Sequence, residues 1–253
     1  MQSLAFAAFV WVCSIGAAAL GMALHIRLAD RHLDPDSRDV VKLAIALVAT
    51  MSALVLSLLI SSSSTSYNRQ VSQLKALSAN ILLLDRTLSL YGPEARSVRD
   101  GFRSMVQELH DKIWEQGSVR LADLESLQTQ DAIKANIELL YSLVPRTDLQ
   151  RAMQVAAMQQ INGFGETRLL IFESMGGAIA KPFLTILVFW ICALFLGFGL
   201  LARFNPTVMV ALVLGGLSVS GALFLILEMN DPYSGIMKIS DEPLVKAIAV
   251  ISR

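Results

Sequence analysis

In 253 residues, 54% are hydrophobic and 17% charged, too apolar for an ordinary soluble domain of this length. Twenty-one basic and 21 acidic residues cancel, and no basic cluster rich in aromatics occurs, which sets nucleic-acid binding aside. Cys13 and Cys192 both lie inside apolar runs, so neither a disulfide framework nor metal-ligand spacing is present in the sequence.

Four stretches reach the length of about 20 residues that a helix needs to cross a bilayer core: Leu4 to Ile26, Val40 to Ile60, Pro182 to Ala202 and Pro206 to Leu227. The first reads as a span and not as a secretory signal. Its "MQS" start carries no positive charge, and its apolar run exceeds the usual h-region of about 7 to 15 residues. The spans form two close pairs, joined by "RLADRHLDPDSRD" and "RFN". The expected layout is residues 1–62 as a first pair, 63–180 as a helical extramembrane domain, 181–228 as a second pair and 229–253 as a tail. The fold class that follows is all-α, with four transmembrane helices in two pairs around a helical domain.

Nothing between Val40 and Tyr91 breaks a helix, although "SSSSTS" follows the second span. Val71, Leu74, Leu77, Ile81, Leu84 and Leu88 then continue an apolar stripe at three-to-four spacing, so one long helix is expected to leave the membrane without stopping. On it Ser57, Ser61 and Ser64 share a face, with Ser62, Thr65 and Ser66 beside them. Small hydroxyl residues so spaced either let helices approach closely or line a water-filled passage, where hydroxyls replace part of an ion's hydration.

At "YGPEA" the helix should end, with Gly92 at positive φ and Pro93 opening the next helix. That helix runs from Glu94 to about Gln116, with Val98, Phe102, Met105, Val106, Leu109 and Ile113 inward. After "GSV", helices are expected over Asp131 to Leu143 and Thr147 to Met175, interrupted at Pro145 and loosened at Gly163 and Gly165.

The densest charged cluster is Asp85, Arg86, Glu94, Arg96, Arg99 and Asp100. Antiparallel folding across Gly92 brings Asp85 or Arg86 near Arg99 or Glu94, as ion pairs that fix a hairpin or as an ion-attracting ring or subunit contact. His25 and His32 lie in the first loop and His110 on a solvated helix face. Asn230, Asp231 and Pro232 are expected to make a turn. No nucleophile, base and orienting group come together at any spacing, and the span centres carry no aspartate, glutamate or histidine, so an enzyme is not expected.

The stretches "LVLSLLISSSSTSYNRQ", "LLLDRTLSLYGPEARSVRDGFR" and "LILEMNDPYSGIMKIS" resemble the bestrophin-like domain family of bacterial membrane proteins, over nearly the whole chain from about Ala44. That family is remotely similar to the bestrophins, pentameric ion channels with two pairs of spanning helices and a helical cytosolic domain between them. The resemblance implies a homo-oligomer in the cell (inner) membrane that passes inorganic ions. Its second spanning helix would face a central pore with Ser57, Ser61 and Ser64, and its middle domain would form an atrium. It further implies that the segment after the fourth helix folds back along the middle domain.

One departure concerns calcium. Animal bestrophins hold it on an acidic run after an asparagine-proline-aromatic-glycine turn, whereas here Asp231 stands alone, so neither a calcium clasp nor any other cofactor is carried over. Basic residues flank the spans on both sides: Arg27, Arg31, Arg38, Lys42 and Arg203 against Arg69, Lys75, Arg168, Lys181, Lys238, Lys246 and Arg253. Charge alone does not orient the chain, and the resemblance places both termini and the middle domain in the cytosol. The alternative reading, from a different class, is a non-conducting membrane-anchored scaffold that binds a partner protein through the middle domain.

Overall fold

The structure is a computed structural model and describes residues 2–27, 35–115, 127–174, 181–202, 204–233 and 235–252. The described residues hold eight α-helices and no strand. These are α1 (Gln2–Arg27), α2 (Pro35–Tyr91), α3 (Arg96–His110), α4 (Leu127–Ser142), α5 (Asp148–Ser174), α6 (Lys181–Leu201), α7 (Pro206–Asn230) and α8 (Glu242–Ile251). Four of them carry a stretch long and apolar enough to span a membrane: α1, α2, α6 and α7.

The chain divides into two compact units, Met1–Tyr67 with Gly177–Asp231, and Asn68–Gly176 with Pro232–Arg253. In the first unit α1 packs against α6 and α7 around Val10, Ala18, Leu187, Ile191, Phe195, Leu223 and Ile226, with Val55, Leu56 and Leu59 of α2 against that core. The approach of α1 to α6 is backbone-close. A Cβ on Gly199 would lie 2.1 Å from the Ala18 carbonyl oxygen, and one on Gly21 would lie 2.2 Å from that of Leu196. Without a hydrophobic drive between helices in lipid, such close van der Waals contact is what holds them together. His25 belongs to the last turn of α1 and not to a loop; its Nδ1 lies 2.8 Å from the Leu200 carbonyl oxygen. His32 lies outside the described residues.

The second unit is built on the apolar stripe of α2. Leu74, Leu77, Ile81, Leu84 and Leu88 are all buried, Val71 half-buried, and the stripe's opposite side is solvated. Gly92, at φ 121°, ends the helix, and Pro93–Ala95 form a 3₁₀ turn that leads into α3. Val98, Phe102, Met105, Val106 and Leu109 face inward from α3, and Ile113 continues the face through a π turn over Asp111–Glu115. Phe102 meets Phe164 of α5 edge-on at 5.5 Å, and Gln154 of α5 donates to the Leu140 and Leu143 carbonyls that end α4.

Three further expectations are corrected. Helix α5 runs unbroken through Gly163 and Gly165, because a single glycine costs a helix only about 1 kcal/mol against alanine and the surrounding turns outweigh it. Asn230 is the last residue of α7, so the turn begins at Asp231, whose N–H returns to the Glu228 carbonyl. His110 is half-buried and held by partners, not free on a solvated face. Its ring stacks on Trp114 at 5.6 Å, and its two nitrogens lie 3.1 Å from the Asp111 carboxylate and 3.2 Å from that of Asp241. The expected end at Gln116 and the "GSV" segment lie outside the described residues.

Candidate functional site

Helix α2 is a single element of 57 residues that carries the serine run in its interior. Hydroxyls interrupt it little because they bond back to their own helix: Thr65 Oγ1 donates to the Ser61 carbonyl at 2.8 Å, as Thr50 does to Ala46. The run divides by face. Ser63 is fully buried, on the same side as the buried Ser52 and Gln70, and the Ser52 and Ser63 hydroxyls meet no acceptor among the described residues. Ser57 and Ser61 are exposed and Ser64 half-buried, on another side of the helix.

Val40, Leu43, Leu47, Met51, Leu54 and Leu58 are exposed beside that serine face, at helical spacing. Only 6% of the most apolar stretch of α2 is buried within the chain, against 28% in each of the other three spans. The second span is thus the one its own chain covers least.

The charged hairpin lies in the second unit. Arg99 grips Asp85 with both Nε and Nη2, at 3.0 and 2.9 Å, a bidentate pair that locks α3 onto α2. That hydrogen bond raises the Arg99 pKa above its ordinary value, against the opposing effect of burial. Arg103, a residue the sequence reading passed over, adds contacts of 3.6 Å to Asp85 and to Asp100. Its signal was its place, one turn beyond Arg99 on the same face. Arg86, Glu94 and Arg96 are exposed, and no ion pair among the described residues holds them.

Asp231 caps the end of α7, and from Pro232 the chain joins the second unit. There Tyr233 meets Trp114 edge-on at 6.0 Å, the Trp114 indole donates to the Ile239 carbonyl at 3.1 Å, and Lys238 Nζ to the Trp114 carbonyl. Burial raises the Tyr233 phenol well above its ordinary pKa. The C-terminal segment therefore folds back on the helical unit, as the resemblance implies. A buried carboxylate unremarked in the sequence, Glu228, sits near the end of α7 and accepts from the Ser3 hydroxyl of α1. Among the described residues no group of histidine, cysteine, aspartate and glutamate has the geometry of a metal site.

The fold is similar to that of two crystallised variants of a bacterial bestrophin homolog from Klebsiella pneumoniae. One has a TM-score of 0.70 at 13% identity, covering 100% of this chain and 96% of that one. The other has a TM-score of 0.71 at 13% identity, covering 98% and 96%. Among curated proteins no sequence matches. The model of the bestrophin-like domain matches residues 12–244, both helix pairs and the helical unit included, and the chain belongs to that family.

Proposed function

We propose that this membrane protein is a homo-oligomeric ion channel, of five subunits by analogy with the bestrophins, whose pore is lined by α2. The observation that carries the reading is the exposure of α2. A spanning helix covered over only 6% of its apolar stretch, with serines on part of the uncovered surface, suits the centre of an assembly. There the apolar residues from Val40 to Leu58 pack against neighbouring copies, and Ser57, Ser61 and Ser64 turn to the axis. Hydroxyls at that depth replace part of an ion's hydration without holding it as a fixed charge would.

The ions and the lipid bilayer are the partners, the chain sits in the cell (inner) membrane, and both termini and the helical unit lie in the cytosol. No chemical step is assigned to any residue, and Asp85 with Arg99 serves to fix the hairpin.

Ion flux into liposomes tests the reading. Wild-type protein should dissipate a potassium or a chloride gradient, and Ser61→Trp should abolish that flux while the oligomer in detergent keeps its mass. Equal flux from both proteins would remove Ser61 from the pore. No flux from an intact wild-type oligomer would favour the non-conducting scaffold.

A further inference from the structure

Arg96, Arg99 and Arg103 recur at intervals of three and four, which puts three guanidinium groups on one face of α3. Like charges so spaced repel one another, and a helix tolerates them when something else on that face compensates. Two carboxylates compensate in part: Asp85 holds Arg99 at 2.9 Å, whereas Arg103 stands 3.6 Å from both Asp85 and Asp100.

The compensation is incomplete in two places. The Nε of Arg103 is buried with no acceptor, and Arg96 has no carboxylate partner among the described residues. Arg96 and Arg103 both line one cleft of about 420 Å³, together with Ser89, Gly92, Pro93, Arg99 and Asp100. Glu94 is adjacent to Gly92 and outside that lining. Arg96 also begins α3, so the positive end of the helix dipole points the same way.

We propose that this cleft binds a small tetrahedral oxoanion, either free phosphate or the phosphate of a monoester. A planar guanidinium presents paired N–H donors that match two oxygens of such an anion, and a spherical halide uses them poorly. Arg96 supplies the free donors, Arg103 with its long contacts of 3.6 Å adds positive charge, Ser89 belongs to the wall, and Asp85 holds Arg99 in place behind them. The site lies wholly within the second unit and does not depend on whether α2 conducts.

Calorimetric titration of the full-length oligomer in detergent with inorganic phosphate, at constant ionic strength and against a matched chloride titration, tests the proposal. We expect saturable phosphate binding that Arg96→Gln weakens about tenfold or more, since losing one charged hydrogen-bonding partner of an anion is worth about that factor. Arg96 is exposed and without an ion pair, so its replacement should leave the unfolding temperature unchanged; Arg86→Gln, outside the lining, should bind as wild type does. A parallel titration with glycerol phosphate assigns the source: tighter binding than phosphate names a monoester, weaker binding names the free ion. The absence of saturable heat from both ligands, an equal response to chloride, or unaltered affinity in Arg96→Gln would each overturn the assignment.

Discussion

At the scale of single residues, Asp85 concentrates the most interactions in the hairpin. It accepts two hydrogen bonds from Arg99 and faces Arg103 as well, so Asp85→Asn should leave Arg99 without its counter-ion and Arg103 with Asp100 alone. Because all three groups keep some contact with water, we expect a loss of about 1 to 3 kcal/mol, below the full penalty of a buried pair. Thermal unfolding would show it, and an unchanged midpoint would mean that the pair is ornamental. Spacing on either side of Gly92 made the meeting of Asp85 and Arg99 legible in the sequence. Arg103 was legible only by its place one turn beyond Arg99, and its contact with Asp85 on the other helix was not.

His110 carries a second prediction at this scale. Burial disfavours its charged form, but hydrogen bonding to Asp111 and to Asp241 outweighs burial, and its pKa is raised above the ordinary value of about 6.5. The imidazolium thus stabilises the docked C-terminal segment fully below about pH 6.5, and that contribution is lost as pH rises through the raised value. Amide protection in α8, taken relative to the intrinsic exchange rate at each pH, should fall between about pH 6 and pH 8, and His110→Phe should remove most of that fall. Equal protection at both pH values, or protection that rises with pH, would contradict the sign. The sequence misplaced this residue because its partner Asp241 is 131 positions away, a separation that periodicity within one helix cannot reveal.

At the scale of helices, the sequence was most informative where a long apolar period was uninterrupted. The continuity of α2 through its serines followed from the absence of any glycine or proline there, and the turn at Gly92 followed from the need for positive φ. Glycines inside helices were less legible, since the residue type alone does not say whether another backbone lies against it. Gly199 and Gly165 differ in this respect: a Cβ at Gly199 would lie 2.1 Å from a carbonyl oxygen of α1, whereas one at Gly165 meets nothing within 4 Å. Gly199→Val should therefore force α1 and α6 apart and lower the unfolding temperature of the detergent-solubilised protein. Gly165→Ala should raise it slightly, by the helix-propensity difference of about 1 kcal/mol. Equal effects of the two substitutions would show that the close crossing does not set the packing.

At the scale of the whole molecule, the chain leaves its second span largely bare and keeps its other three better covered. Apolar residues alone on that surface would be satisfied by lipid; in the proposed channel the accompanying Ser57 and Ser61 face a wet axis. The fold class and the folding back of the C-terminal segment were readable from span lengths and family resemblance. The burial of Ser63, in contrast to Ser57 and Ser61, was not, since six neighbouring hydroxyl residues look alike until the helix is placed against its core. An oligomer should persist in mild detergent, and a stable monomer there would be incompatible with a shared axial pore.

The most direct measurement is the reversal potential of reconstituted protein in a potassium chloride gradient, with opposite charges placed in turn at Ser57. If α2 lines the pore, Ser57→Glu should shift the potential toward cation selectivity and Ser57→Lys toward anion selectivity, because a fixed charge beside a narrow passage enriches its counter-ion. Identical reversal potentials in wild type and both variants, from oligomers of unaltered mass, would contradict a pore along α2.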